Sequence, residues 1–393
     1  MDAGNQTLLK KNNQRAIIDY IIKNGPISRA DLSKVLKISK PTVSANVTEL
    51  IQMDLLTEIG FSETCVGKKP MLVDFNKDFK YVLALDFISY ITRNKISVAV
   101  CNLYCEPIFT DNIELPCDYS AAVIFNYVPE ALNRIFRKNE IDVHKIGRLV
   151  LTAPTSRYDE DHIDFRCMYS GEIINLADVF RPYFKDKIVV MNDINLAALG
   201  EKHFGVGKEA DSLIFFWAGF DVSAGIILNG ELYEGRNRAA GEMEFSWVYN
   251  ELTGVYCYIG EIASGKGIRS FLSQYAEEAQ HSILAERFAS GDYFLDTLID
   301  AALKGDEFCQ DFGRYMGRTF GQLIANLAYT LDVEAAIIGG EYSRFGDVFF
   351  EEIYRCFNGP HPVHSWVKAP LYTNSAIYGA FKFGADSIIA GLI

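Results

Sequence analysis

The stretch Ile188-Val189-Val190-Met191-Asn192-Asp193-Ile194-Asn195, continuing as Leu196-Ala197-Ala198-Leu199-Gly200-Glu201, decides how the chain is read. Its four-residue apolar run has the length and composition of a buried strand, and a helical pattern follows. Three short amide and carboxylate side chains therefore stand at the carboxyl end of a strand, where open α/β sheets hold their ligands. Asn offers donors and acceptors together, and an ionised Asp is a strong acceptor that also serves as a base. Such a cluster suits a polyhydroxylated ligand such as a sugar. It also suits a simpler task, since Asn192 and Asp193 can turn the chain and cap the helix.

Around this stretch lie 393 residues with 49% hydrophobic content, enough for two or three domains with their own cores. No apolar run approaches the roughly eighteen residues of a membrane span, and Met1-Asp2-Ala3-Gly4-Asn5 lacks a signal-peptide pattern. The eight cysteines contain no CxxC pair, which reads as reduced, packed thiols of a cytoplasmic protein. The net charge of −13 argues against a protein that coats nucleic acid, but the charge is uneven. Residues 1–80 carry twelve Lys and Arg against nine Asp and Glu, whereas the rest carries 26 against 42. A mildly basic head on an acidic body points to a small anion-binding module on a soluble domain.

The head has a helical grammar. Ile17, Ile18, Ile21 and Ile22 share one face of a helix over 14–24, which Gly25-Pro26 ends. Ser28-Arg29-Ala30-Asp31 is a capping box for a second helix expected to bury Leu32, Val35 and Leu36. Ser39 caps a third helix over 40–51, with Pro41 in its first turn. Val43, Val47, Leu50 and Ile51 form the core face of that helix, while Lys40, Thr42, Ser44 and Asn46 are expected to project away from it. Short hydrogen-bonding side chains with one cation suit base edges and phosphates in a major groove. Two strands, Leu55–Ile59 and Met71–Phe75, flank Gly67-Lys68-Lys69-Pro70, a basic turn of the kind a wing lays on the DNA backbone. A small helical bundle with a merely wet polar face would share the three helices but not the basic wing.

The body alternates strands and helices: strands at 81–87, 95–101, 148–152, 188–191, 212–216, 225–233 and 335–338, with helices over 120–138, 261–276, 293–303, 307–331 and 377–393. That order suggests a two-lobed α/β architecture.

Ser28-Arg29-Ala30-Asp31-Leu32, Ser39-Lys40-Pro41-Thr42-Val43-Ser44 and Gly67-Lys68-Lys69-Pro70 resemble the winged-helix head of ROK-family transcriptional regulators, a family that joins repressors and sugar kinases. The resemblance extends through Asn192-Asp193-Ile194-Asn195 with Gly200-Glu201, then Leu228-Asn229-Gly230-Glu231-Leu232-Tyr233-Glu234-Gly235, Ala240-Gly241-Glu242 and Ile338-Gly339-Gly340. It implies a winged helix-turn-helix over 1–78 and an actin-like, sugar-kinase-like body. The body's first lobe is expected over 79–191 with the helix 376–393, and its second over 192–375. It also implies a sugar site at Asn192, Asp193 and Glu242, with Glu261 as a further member and Phe245 able to stack on a sugar face. The DNA-reading residues it implies are Arg29, Ser39, Lys40, Thr42, Ser44, Asn46, Lys68 and Lys69.

The chain departs from the kinase pattern of that family. Asp86 is followed by Phe87-Ile88-Ser89-Tyr90 in place of a glycine-rich phosphate loop, and a second phosphate loop is replaced by Ala218-Gly219-Phe220-Asp221-Val222-Ser223-Ala224-Gly225. Phe220 adds bulk and Asp221 negative charge where phosphates would approach the backbone. Phe245 stands where the family's histidine zinc ligand belongs, and only Cys257 remains of its cysteine cluster. One thiol cannot build a tetrahedral zinc site. The expectation is a cytoplasmic, sugar-responsive regulator without cofactor, metal or enzymatic activity, a homodimer or tetramer acting on a double-stranded DNA operator, with a mono- or disaccharide effector and repression as the expected sense. The alternatives are an ATP-dependent sugar kinase with an appended DNA-binding head, and a regulator of this type that lacks a sugar effector.

Overall fold

A computed structural model describes residues 3–61, 70–87, 95–115, 120–153, 162–166, 171–357, 365–368 and 374–393. The head begins with α1 (Ala3–Asn24), longer at its N-terminus than the periodicity alone suggests. β1 (Ile27–Ser28), α2 (Arg29–Val35), α3 (Lys40–Gln52), β2 (Leu56–Phe61) and β3 (Met71–Phe75) follow, with the strands ordered β1-β3-β2. Ile17, Ile21, Leu32, Val43, Val47, Leu50 and Val73 are fully buried together, each contributing about 1.5–3 kcal/mol by removal from water. Val35 is instead 46% exposed, because α2 ends there and turns its last residue out of the core. The wing turn with Gly67, Lys68 and Lys69 lies outside the described residues.

The first lobe is a five-stranded sheet in the order β10-β7-β4-β5-β6: β4 (Tyr81–Asp86), β5 (Lys95–Cys101), β6 (Pro107–Glu114), β7 (Ile146–Ala153) and β10 (Ile188–Asn192). β4, β7 and β10 run parallel, whereas β5 and β6 fold back antiparallel as hairpins. The small β8–β9 hairpin (Asp164–Arg166 with Ile173–Asn175), α4 (Ala121–Lys138) and α5 (Leu176–Phe184) complete this lobe. Strand β6 escapes a periodicity reading because its burial alternates but its residues do not follow it: Ile108 is on the exposed face and Asp111 on the inner one.

α6 (Asp193–His203) leads to the second sheet, ordered β13-β12-β11-β16-β17 from β11 (Leu213–Ala218), β12 (Val222–Leu228), β13 (Glu231–Leu232), β16 (Ala335–Gly339) and β17 (Ser365–Lys368). The expected single strand over 225–233 is two strands, folded at Asn229-Gly230, whose positive φ values of 52° and 82° make the tight turn of a hairpin. Between the sheets' strands come the β14–β15 hairpin (Trp247–Asn250 with Val255–Tyr258), α7 (Ile259–Ala263) and α8 (Gly265–Gln274). The expected helix over 261–276 is thus broken at Ser264. Two short helical segments, Ala276–Ala279 and Ala285–Ser290, precede α9 (Leu295–Leu303), α10 (Glu307–Leu331), α11 (Asp347–Arg355) and α12 (Ser375–Ala390).

α6 is the pivot of the body. On one side it crosses α12 so closely that a Cβ on Gly379 would stand 1.8 Å from the Leu196 carbonyl, and one on Gly200 2.0 Å from the Ser375 carbonyl. On the other it lies on β12, where a Cβ on Gly225 would meet the Ile194 carbonyl at 2.5 Å. Fully buried Glu201 accepts a 2.7 Å hydrogen bond from Ser375 Oγ across the α6–α12 contact. No helix among the described residues is long and apolar enough to cross a membrane.

Candidate functional site

Asp86, Thr152 and Asn192 end or nearly end β4, β7 and β10, whose registers align Asp86 with Thr152 and Asn192 with Ala153. Three parallel strands thus deliver polar side chains to one rim of the sheet. Asn192 caps α6, its Oδ1 accepting from the Ile194 and Asn195 amides at 2.9 and 3.0 Å. Asp193 is the first helical residue, 2% exposed, with Oδ1 unpaired. The capping reading of Asn192 and the ligand reading of Asp193 are therefore divided between neighbours. Burial, then the charges of Asp86 and Asp221, push the Asp193 carboxyl up to about 8. A carboxyl that stays mostly protonated at neutral pH both donates and accepts, which suits a sugar hydroxyl.

Facing this rim, Gly241 lies against β12: its positive φ of 86° and a would-be Cβ 1.7 Å from the Ala224 carbonyl admit glycine alone. That contact sets Glu242, whose carboxyl is raised by burial, then by Glu244 and Asp221. Asp221, in the β11–β12 turn, also raises Glu244 and Glu341. Asp193 and Glu242 thus both feel Asp221, but no direct contact joins them. Glu261 is paired with Lys266 at 2.9 Å. Phe245 is 62% exposed and packs edge-on to Tyr258, ring centroids 6.2 Å apart.

The remaining corner of the cleft is filled. A Cβ on Gly219 would stand 2.2 Å from Glu341 Oε2 and 2.6 Å from Trp217 Nε1, so these side chains lie over the turn. Phe220 packs edge-on against buried Tyr342, whose hydroxyl donates to the Ala263 carbonyl at 2.6 Å. Gly340 (φ 93°) seats against the Ala218 backbone, so Gly339-Gly340 serves chain crossing. The sequence pointed to Phe220 and Asp221; Glu341, Trp217 and Tyr342 had no signal, because only the fold brings them there. In the hairpin that carries Cys257, Trp247–Tyr258 and Tyr249–Tyr256 ring pairs, 4.7 and 5.5 Å apart, brace the two strands. Among the described residues no three His, Cys, Asp or Glu side chains are grouped to hold a metal.

In the head, Ser39 Oγ accepts from the Thr42 amide at 3.3 Å and caps α3. Lys40, Ser44, Ala45 and Thr48 are exposed and Thr42 is partly so. Asn46 departs from expectation: it is 5% exposed, its amide donating to the Thr42 carbonyl at 2.8 Å, because position 46 follows Val43 round to the core face. Thr48, one turn beyond Ser44, takes its place on the open face. Arg29 reaches Ser44 Oγ (3.4 Å), Thr48 Oγ1 (3.2 Å) and Glu58 Oε1 (3.0 Å), bridging α3 to the wing strand.

The ROK family model matches residues 93–385, and a winged helix-turn-helix DNA-binding model matches residues 11–57. The xylose repressor of Caldicellulosiruptor bescii is 24% identical over 375 residues, covering 90% of this chain and 89% of that protein. A solved ROK family transcriptional regulator, a homologue of the E. coli MLC protein, superposes with a TM-score of 0.76 at 22% identity, covering 98% of both chains. A ROK family glucokinase from Streptomyces griseus, solved with glucose and AMPPNP, gives 0.57 at 22% identity over 77% of this chain and 98% of its own.

Proposed function

The chain belongs to the ROK family, and we propose that it is a sugar-responsive transcriptional repressor of carbohydrate genes, acting as a cytoplasmic homodimer. The observation that carries this is the unequal cleft. The rim with Asn192 and Asp193 keeps an unpaired buried carboxylate oxygen at the strand ends, while in the corner a nucleotide would need the unpaired Glu341 oxygen itself lies over Gly219 with Trp217, and Phe220 packs beside them. A similar fold serves glucose phosphorylation in the Streptomyces enzyme, and a similar chain is a xylose repressor; this one joins a sugar rim to a DNA-reading head. In this reading the reader occupies 1–78, and the lobes occupy 79–191 with 376–393 and 192–375. Arg29, Lys40, Thr42, Ser44 and Thr48 face the operator with Lys68 and Lys69 of the wing, Ser39 capping the helix that carries them. Asn192, Asp193 and Glu242 hold a mono- or disaccharide, with Phe245 at the mouth and Glu261, paired with Lys266, as a further member.

The signal has a mechanical route. A sugar spanning Asp193 and Glu242 favours the closed arrangement of the lobes. α6 then carries α12 with it through the Gly200 and Gly379 crossings and the Glu201–Ser375 bond. α12 ends against the head, where Arg15 Nη1 donates to the Ile389 carbonyl at 2.9 Å. A second joint steadies the head: Tyr104 donates to Asp74 at 3.2 Å and Lys77 pairs with Glu106 at 2.6 Å. Moving α12 against that joint reorients two heads relative to half-sites about one helical turn apart.

Gel shifts on the upstream regions of the protein's own gene and its neighbours, with a panel of mono- and disaccharides, test the proposal. The expected outcome is sequence-specific binding that one sugar weakens. Unchanged binding after deletion of residues 1–75, or phosphate transfer from ATP to any hexose, would overturn it.

A further inference from the structure

A second cavity, of about 880 Å³, opens beside the edge strand β10, away from the rim at Asp193. It lies along the backbone of residues 188–191 with Phe383 of α12, between Arg148, Arg181 and Lys185 of the first lobe and Glu234 and Arg238 of the second. The body as a whole carries many more acids than bases, so four cations converging on one cavity run against its composition.

Two features separate this cluster from ordinary surface charge. Arg148 is partly buried, and the partner of its Nε is the neutral Ser387 hydroxyl at 2.8 Å; no ion pair among the described residues neutralises it. A half-buried guanidinium that opens onto a cavity and has no ionic partner is placed to take an anion. Lys185 and Arg238 have backbone φ values of +51° and +54°, conformations that L side chains adopt at a cost of about 1–3 kcal/mol each. Two of the strained non-glycine residues are thus cations of one cavity, one from each lobe. Arg181 is already paired with Asp178 at 3.1 Å and serves as the rim.

We propose that this cavity is an anion site whose ligand is a small molecule bearing a phosphate monoester, held by Arg148 and Lys185 with Arg238 reaching it from the second lobe. Guanidinium forks match phosphate oxygens bidentately. The volume falls within the roughly 300–1,000 Å³ of small-molecule sites and exceeds what a bare phosphate fills. The acids Glu234 and Asp186 of the lining accept hydroxyls from the rest of the molecule. Because the cations come from both lobes, the bound anion ties β10 to the 234–238 loop and sets the lobe angle that the Asp193 cleft reads. Binding at either site then changes affinity at the other by the same factor.

The site does not rest on the sugar reading of the cleft, and the variants keep the two apart. Isothermal titration of the full-length protein at constant ionic strength would use glucose 6-phosphate, glycerol 3-phosphate, inorganic phosphate, glucose and sulfate. The expected result is saturable binding of the phosphate esters, tighter than sulfate, weakened at least tenfold by Arg148→Gln and by Lys185→Gln, and retained in Asp193→Ala. Exposed Lys185 is the variant that leaves packing intact should Arg148→Gln fail to fold. Inorganic phosphate binding as tightly as the esters would overturn the assignment of an ester ligand. Equal binding of sulfate, affinity unchanged in Lys185→Gln, or loss of ester binding in Asp193→Ala would overturn the site itself.

Discussion

The two walls of the cleft differ in what stands opposite their polar and glycine residues. At the β4–β7–β10 rim the chain ends three parallel strands in polar residues and leaves one buried carboxylate oxygen of Asp193 unpaired. At the β11–β12 turn and the end of β16 it keeps glycines, yet those glycines face Glu341, Trp217 and the Ala218 backbone. A glycine in a phosphate loop and a glycine in a crowded crossing look alike as letters; what stands opposite separates them.

The strongest way to break the comparison is at Asp193. Asp193→Ala removes a charge-capable partner of a sugar hydroxyl, a loss of about 1.5–3 kcal/mol or roughly 10–150-fold in affinity. At a hundredfold excess of sugar over the native Kd, the ligand stabilisation of about 2.7 kcal/mol read by thermal shift should then fall to about 0.3–1.4 kcal/mol. A melting shift unchanged by the substitution would remove Asp193 from the site.

pH sharpens the same point. The native Asp193 carboxyl titrates near 8, well above its ordinary 3.8, so between these values the native state holds a proton that the unfolded state has released. Stability contributed by the protonated group is therefore full below about pH 4, declines as pH rises, and is spent above 8. Asp193→Asn should flatten that decline, and denaturant melts at pH 5 and pH 8.5 would reveal it. An identical slope in both proteins would mean that the carboxyl is not held protonated.

On the filled wall, Tyr342→Phe deletes the hydrogen bond to the Ala263 carbonyl and leaves a buried acceptor open, costing about 1–3 kcal/mol of stability without touching sugar affinity. Chemical denaturation with sugar titration in parallel separates the two readouts. A fall in sugar affinity equal to that of Asp193→Ala would erase the distinction between the walls.

Much of this was legible in the sequence, for identifiable reasons. The caps Ser28, Ser39 and Asn192 and the 3.6-residue periodicity of α3 and α10 are local, and local chemistry can be read from neighbours. β8 and β9 are three-residue pieces, β6 puts Ile108 out and Asp111 in, and α5 lacks a long apolar run, so they carried little signal. Asn46 was misplaced because a polar side chain bonding its own helix is indistinguishable, as a letter, from one facing DNA. Of the cleft, the polar rim and Asp221 were visible, but Glu341 meets Gly219 only after two strands and a helix have been folded together. Lys68 and Lys69 fall outside the described residues.

The smallest expected effect concerns how the cleft reaches the head. Arg15 makes one hydrogen bond to the α12 carboxyl end, a contact worth about 1 kcal/mol to folding. Its removal in Arg15→Ala should leave both sugar affinity and sugar-free operator affinity within about twofold. What changes is the link between them: sugar should no longer weaken operator binding to the same degree. By reciprocity, operator DNA should lose the same factor of influence on sugar affinity. Fluorescence anisotropy of a labelled operator, titrated with and without sugar, measures both sides of that cycle. Coupling preserved in Arg15→Ala would shift the transmission from α12 to the joint of Tyr104 with Asp74 and Glu106 with Lys77, where Tyr104→Phe is the next break to make.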